Sequence, residues 1–255
     1  MKQATCKAIL LLGVSIACAD SASAETGSDR TSAFQLTPYV WGAGIGGTIR
    51  PLPNTPEMKL SHSFGDLLKD MDAAAFVSGY ARAGRFVAVA DFSHTSASRE
   101  GLISTPLPQA PVVPAEAQLK QTSLTLAGGI RVVDLSDISI DLLAGVRAFW
   151  IRTSVESAPL GLARSPGVDI VDPIAGVRVN KRIADGWSLI AYGDFGGFGV
   201  DSDFTAQTVA TLNARVAQRL WLSAGYRYLM VDYRSDTSRA DLRLSGPLLG
   251  ATFTF

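Results

Sequence analysis

The connections in this chain alternate between short and long, and few folds sort their loops that way. Ten stretches alternate apolar and polar residues with a period of two, at roughly 33–50, 73–83, 86–98, 117–133, 138–153, 169–181, 187–199, 203–217, 220–233 and 240–255. Tight joins fall at Ala83-Gly84-Arg85, Asp134-Leu135-Ser136-Asp137, Ile183-Ala184-Asp185-Gly186 and Gln218-Arg219. The connections between them are 51–72, 99–116, 154–168, and the shorter 200–202 and 234–239. Strict alternation gathers the short turns on one rim of a closed antiparallel barrel and the long loops on the other. With both termini on the short-turn rim the strand number must be even. Ten satisfies this, with eight as the alternative. A sandwich has no reason to sort its loops.

The last two strands state the pattern most clearly. Leu222, Ala224, Tyr226, Tyr228 and Met230 share one face, with Ser223, Gly225 and Arg227 on the other. The chain then ends on Thr252-Phe253-Thr254-Phe255, an aromatic at a position where soluble proteins carry polar, frayed residues. Alternation alone does not say which face points inward, because a soluble barrel would bury the apolar set. Aromatic placement decides. Phe86, Trp187 and Trp221 open strands just after tight turns, on the rim of Phe253 and Phe255, and Trp150 lies toward the opposite rim. Two aromatic belts separated by aliphatics match the girdles of a transmembrane barrel. Pro247 breaks the pattern: Leu242 and Leu244 have the opposite parity to Leu249, Ala251 and Phe253, so a bulge is expected at Ser245-Gly246-Pro247.

The N-terminus has the form of an export signal. Lys2 and Lys7 precede an apolar run from Ala8 to Ala19, and Ala22-Ser23-Ala24 offers a small-residue cleavage site. The expected organisation is a signal peptide at 1–24 and an outer-membrane barrel at 25–255. Removing Lys2, Lys7 and Asp20 leaves 21 basic and 22 acidic residues (23 − 2 and 23 − 1), so nucleic-acid binding has no electrostatic support. Both cysteines, Cys6 and Cys18, fall in the signal, which leaves no thiol chemistry in the mature chain. Ser15 departs from the aliphatic residue expected if Cys18 were a lipoprotein acylation site.

Several runs carry a family resemblance. They include Leu36-Thr37-Pro38-Tyr39-Val40-Trp41, Ser63-Phe64-Gly65-Asp66-Leu67-Leu68 and Asp172-Pro173-Ile174-Ala175-Gly176-Val177-Arg178. Gly193-Asp194-Phe195-Gly196-Gly197-Phe198-Gly199, Gly225-Tyr226-Arg227-Tyr228-Leu229 and Ser245-Gly246-Pro247-Leu248-Leu249-Gly250 belong to the same set. Together they resemble Gram-negative outer-membrane β-barrel proteins of the broad OmpA/OmpW-like group. The resemblance implies residence in the outer membrane among lipid and lipopolysaccharide. It also implies insertion by the barrel-assembly machinery, with Phe255 as part of the recognition signal. It implies no activity and no oligomeric state.

The expected inner face collects Asp91, Asp141, Asp172 and Asp194 with Arg131, Arg147, Arg178, Arg215 and Arg227. One reading is a charged pore lining that selects small solutes; the other is a plug of paired charges. Barrels near eight strands are filled by side chains whereas those of 16–18 leave a channel, which favours the plug. Residues 61–72 are the one expected helix: Ser63 stands as N-cap with Asp66 three residues on, and Phe64, Leu67, Leu68 and Met71 fall on one face. It would cap the outer mouth or gate it. His94 with Ser96 is a candidate lipid A-modifying pair but lacks an assignable orienting acid, and Asp201 and Asp203 with His94 are a candidate protease set whose Asp-Ser-Asp run reads instead as a solvated turn. No metal ligand set or cofactor motif is present, and the expected protein is not an enzyme. The proline-rich segment 105–116 is expected to be an irregular extracellular loop.

Overall fold

The computed structural model describes residues 32–50, 58–69, 71–104, 112–157, 162–165, 167–234 and 239–255. The expected signal peptide lies outside them. The described residues form thirteen strands: β1 (Ser32–Trp41), β2 (Gly44–Arg50), β3 (Met58–His62), β4 (Met71–Ala83), β5 (Phe86–Ser104), β6 (Val112–Asp134), β7 (Ile138–Ser157), β8 (Leu162–Arg164), β9 (Gly167–Ala184), β10 (Trp187–Gly197), β11 (Phe204–Ala217), β12 (Leu220–Arg234) and β13 (Arg239–Thr254). One short helix, α1 (Phe64–Lys69), stands between β3 and β4.

Ten of these strands close a barrel in the order β1-β4-β5-β6-β7-β9-β10-β11-β12-β13, with β13 returning to β1. All the pairs are antiparallel, and closure runs from Gln35↔Thr254 to Trp41↔Leu248. At the seam the Phe255 amide donates to the Phe34 carbonyl at 2.9 Å, and the two rings lie 5.7 Å apart. The barrel is therefore tied shut by its last residue.

The tight turns fall as expected. Gly84 and Gly186 adopt φ of 58° and 73°, the left-handed conformation their hairpins require. On the other rim β5, β6 and β7 run to 19, 23 and 20 residues and rise above their neighbours. The expected irregular loop is shorter than predicted, because Leu102↔Pro114 and Ile103↔Val113 continue the β5–β6 ladder. A Pro is tolerated there, since the ladder needs a donor only at alternate residues.

The expected bulge at Ser245-Gly246-Pro247 does not form. Trp41↔Leu248 and Gly44↔Ser245 lie in the same register, so the ladder passes Pro247 without an inserted residue. Pro247 still accepts from the Gly42 amide at 2.9 Å but has no N–H to return, and β1 and β2 part at that missing bond. A Cβ on Gly246 would lie 1.9 Å from the Gly42 carbonyl oxygen, so the close approach demands glycine. The parity conflict has another cause: Leu242 and Leu244 face inward, alongside Leu248.

The helix is shorter than the expected 61–72, because His62 pairs with Ile45 and β4 begins at Met71. Its cap forms as read. The Asp66 amide donates to Ser63 Oγ at 3.3 Å while the Ser63 amide donates to Asp66 Oδ2 at 3.2 Å, a reciprocal capping box.

Candidate functional site

The wall has two unlike faces. Leu36, Leu126, Leu142, Val146, Val171, Leu189, Leu212, Leu222 and Leu249 point outward and are 39–64% exposed. Water-soluble monomers do not leave an apolar band of this extent uncovered. Phe86, Trp187, Phe253 and Phe255 ring the short-turn rim, 41–71% exposed, and Trp150 sits on the outward face toward the other rim. Trp221 does not join them. It shares parity with the buried Ser223 and Arg227 and lines the mouth of the lumen, with the Arg215 guanidinium 5.9 Å from its ring. Position after a tight turn places a residue at a rim, whereas parity decides its side.

Inside, the arginines organise three hydrogen-bonded clusters. Nearest the short-turn rim, Arg131 Nε donates to Asp141 Oδ1 at 2.8 Å and Arg178 Nη1 to Asp141 Oδ2 at 3.4 Å. Tyr80 completes this cluster: its hydroxyl accepts from Arg131 at 2.8 Å and donates to Asp141 at 3.1 Å, and Arg178 stacks 4.1 Å over its ring. Further along, Arg227 Nη1 reaches Asp91 Oδ1 at 3.1 Å and the Tyr39 hydroxyl at 2.5 Å, while Nη2 donates to Gln207 at 2.7 Å. In the third cluster Arg147 Nη2 pairs with Asp194 at 2.5 Å, with Thr125 and Thr205 taking its other donors. Charges this deep persist only when paired and hydrogen-bonded.

Seven of the nine lumen residues expected from sequence thus meet as a network. Asp172 is fully buried, but its Oδ1 accepts from the Ser202 amide at 2.9 Å instead of from an arginine. Arg215 leaves the network altogether. It is half exposed at the short-turn mouth and pairs with the solvated Asp185 at 3.2 Å. Its strand is at its end there, beyond the enclosed part of the lumen. Parity had no means of separating a rim position from a deep one.

Beyond the arginines, on the same inward faces, the lumen turns apolar. Tyr39, Trp41, Phe149, Ile170, Leu229, Val231 and Leu248 form one buried cluster, with Phe76, Tyr233 and Leu244 packed on it. Phe149 lies two residues past Arg147, Leu229 two past Arg227, and Ile170 two before Asp172 on a strand running the other way. The network side is roomier. A cavity of about 510 Å³ opens at the short-turn rim between Arg131, Asn180, Asn213 and Trp221. A second, of about 150 Å³, continues from it past Gln35 and Thr252 to Tyr39, Asp91 and Arg227.

The candidate catalytic pairs do not assemble. His94 Nδ1 bonds Thr122 Oγ1 at 2.8 Å, and Ser96 Oγ donates to Asp72 Oδ2 at 3.4 Å. Asp201 accepts from the Val171 amide at 2.8 Å, and Asp203 pairs with Arg234 at 3.0 Å. Among the described residues no group of three His, Cys, Asp or Glu side chains is placed to hold a metal ion.

The fold is that of the outer-membrane β-barrels. Among solved structures the chain is similar to the outer membrane protease OmpT from Escherichia coli, with 12% identity over 91% of this chain and 99% of that one and a TM-score of 0.59. It is also similar to the translocator domain of the autotransporter NalP from Neisseria meningitidis, with 12% identity over 89% and 90% and a TM-score of 0.46. The likeness is one of fold. No family model matches the chain, and no curated protein matches it.

Proposed function

We propose that this chain is an exported, integral outer-membrane protein with a structural or passive role, and that it is not an enzyme. The apolar outer band faces the membrane, and the long-loop rim faces out of the cell. Phe255, on the closure seam, serves the barrel-assembly machinery as its recognition signal. The lumen is shut to solutes. The observation that carries this reading is the apolar cluster from Tyr39 to Leu248, which fills the long-loop half above charges that are already paired. The open space is widest at the short-turn mouth, about 510 Å³, and falls to about 150 Å³ beside Arg227, where Val89, Ile190, Val209 and Leu248 join the polar lining.

The test is conductance of the purified protein in planar bilayers, after confirming that the unboiled band migrates apart from the boiled one. Wild type is expected to give no resolvable steps. Regular ion-conducting steps would replace the passive reading with the rival one, a narrow small-solute pore. The two cavities that run on from each other at the short-turn end are what speak for that rival.

A further inference from the structure

We infer that the cavity at the short-turn mouth is a binding site for a neutral oligosaccharide; this rests on the shut lumen proposed above, which makes the cavity a blind pocket. Its volume, about 510 Å³, lies within the roughly 300–1,000 Å³ of small-molecule sites. Inward it narrows to the chamber beside Arg227 and ends at the apolar cluster beyond.

Net charge does not select the ligand. The lining carries Arg131, Arg182 and Arg215 against Asp134, Asp137 and Asp185, three cations and three anions. Arg131 pairs with Asp134 at 3.0 Å and Arg215 with Asp185 at 3.2 Å, so most of this charge is already balanced. An ion would meet as much repulsion as attraction. A hydroxyl, by contrast, donates to carboxylates and accepts from guanidinium groups, and so uses both signs.

The uncharged lining is largely fixed in place. Asn213 Nδ2 donates to the Ser188 carbonyl at 3.2 Å, and its Oδ1 accepts from Ser223 Oγ at 2.6 Å. Thr252 Oγ1 lies 2.8 Å from Thr37 Oγ1. Asn180 is the exception. Its Oδ1 is shielded from solvent, in a residue that lines the cavity, and accepts no hydrogen bond among the described residues. A shielded acceptor without a donor is costly, and a ligand hydroxyl would supply the donor.

Trp221 gives this polar mouth an aromatic face. Its ring is partly exposed and turned inward, between Arg215 and Thr252 on the neighbouring strands, instead of joining the girdle predicted for it. A pyranose ring combines the two chemistries: its C–H bonds form an apolar face that stacks on an indole, and its hydroxyls radiate from the edge. Asn180 on β9 and Trp221 on β12 stand three strands apart, roughly 14 Å along the wall, so a ligand touching both carries more than one ring.

The test is isothermal titration of the folded barrel in phosphatidylcholine nanodiscs, which leave both mouths open and bring no sugar-headed detergent. Maltose and N,N′-diacetylchitobiose are the probes, and saturable binding of at least one is expected, with a Kd of about 1 mM or tighter. Trp221→Leu and Asn180→Leu should each weaken it about tenfold. Trp221→Phe, which keeps a ring face, should retain most of the affinity, and Trp150→Phe at the opposite rim should leave it unchanged. Glycylglycine, whose charged ends would suit the arginines and aspartates, should not saturate. The proposal falls if neither sugar saturates, if binding is indifferent to Trp221 and Asn180, or if glycylglycine binds as well. Gel mobility confirms that each variant is folded, and the wild-type titration stands without them. Conductance reads the shut lumen separately: regular steps would overturn the closure, and with it the blind pocket, whatever the titration gives.

Discussion

Two halves of one lumen, built on the same ten strands, close it by different physics. Toward the short-turn rim the inward positions carry the Asp–Arg pairs with Tyr, Asn and Thr around a smaller apolar cluster of Val87, Ala127, Leu143 and Ile174, and space remains between them. Toward the long-loop rim the next inward positions on the same strands are Leu, Ile, Val and Phe, and they pack against one another. The polar half holds its shape through directional bonds, each of which depends on both partners. The apolar half holds through volume, which neighbours can share. Losing one member should therefore damage the two halves differently, in size as well as in kind.

The largest effect is expected at Asp141. It is fully buried and receives Arg131, Arg178 and the Tyr80 hydroxyl, so Asp141→Ala takes from Arg178 its carboxylate partner and leaves Arg131 only the half-exposed Asp134. Breaking a buried pair this way costs about 3–5 kcal/mol, to be measured by urea unfolding of the barrel in liposomes. A loss below 1 kcal/mol would mean that water in the adjoining cavity already solvates the arginines, and the contrast between the halves would fall. Leu229→Ala should cost less, about 3 kcal/mol, because the neighbouring Val231 and Leu248 can close partly over the gap. Its diagnostic consequence is conductance. Truncating the apolar half should admit ions to the cavity below, whereas Asp141→Ala should leave the long-loop half shut.

Much of this was legible in the sequence because a barrel strand has only two sides. Parity alone brought Asp91, Arg131, Asp141, Arg147, Arg178, Asp194 and Arg227 to one face, and closure brought them into contact. The apolar half was not legible by the same rule. Leu229, Leu242, Leu244 and Phe149 occupy inward positions, but a scheme that equates apolar with outward treats each as an exception. Pro247 compounded the error, since a missing N–H and an inserted residue leave the same mark on a parity count. Tyr39 and Tyr80, which complete two of the arginine clusters, were hidden because tyrosine fits a girdle as readily as a network.

The smallest effect is expected at Arg215, and there it sharpens where the polar half ends. Arg215 has the parity and charge of the network arginines, yet its partner Asp185 is almost fully exposed. An ion pair in water gains little, because solvent screens the attraction and holding two long side chains costs entropy. Arg215→Ala should leave the unfolding midpoint unchanged, in the same urea experiment in which Asp141→Ala moves it far. A clear loss at Arg215 would have to come from its position over the Trp221 ring, 5.9 Å away, and Trp221→Leu should then reproduce it. If both substitutions are silent, the structural network ends at Arg131 and Asp141. The mouth beyond them is then free to change charge without loss of the barrel.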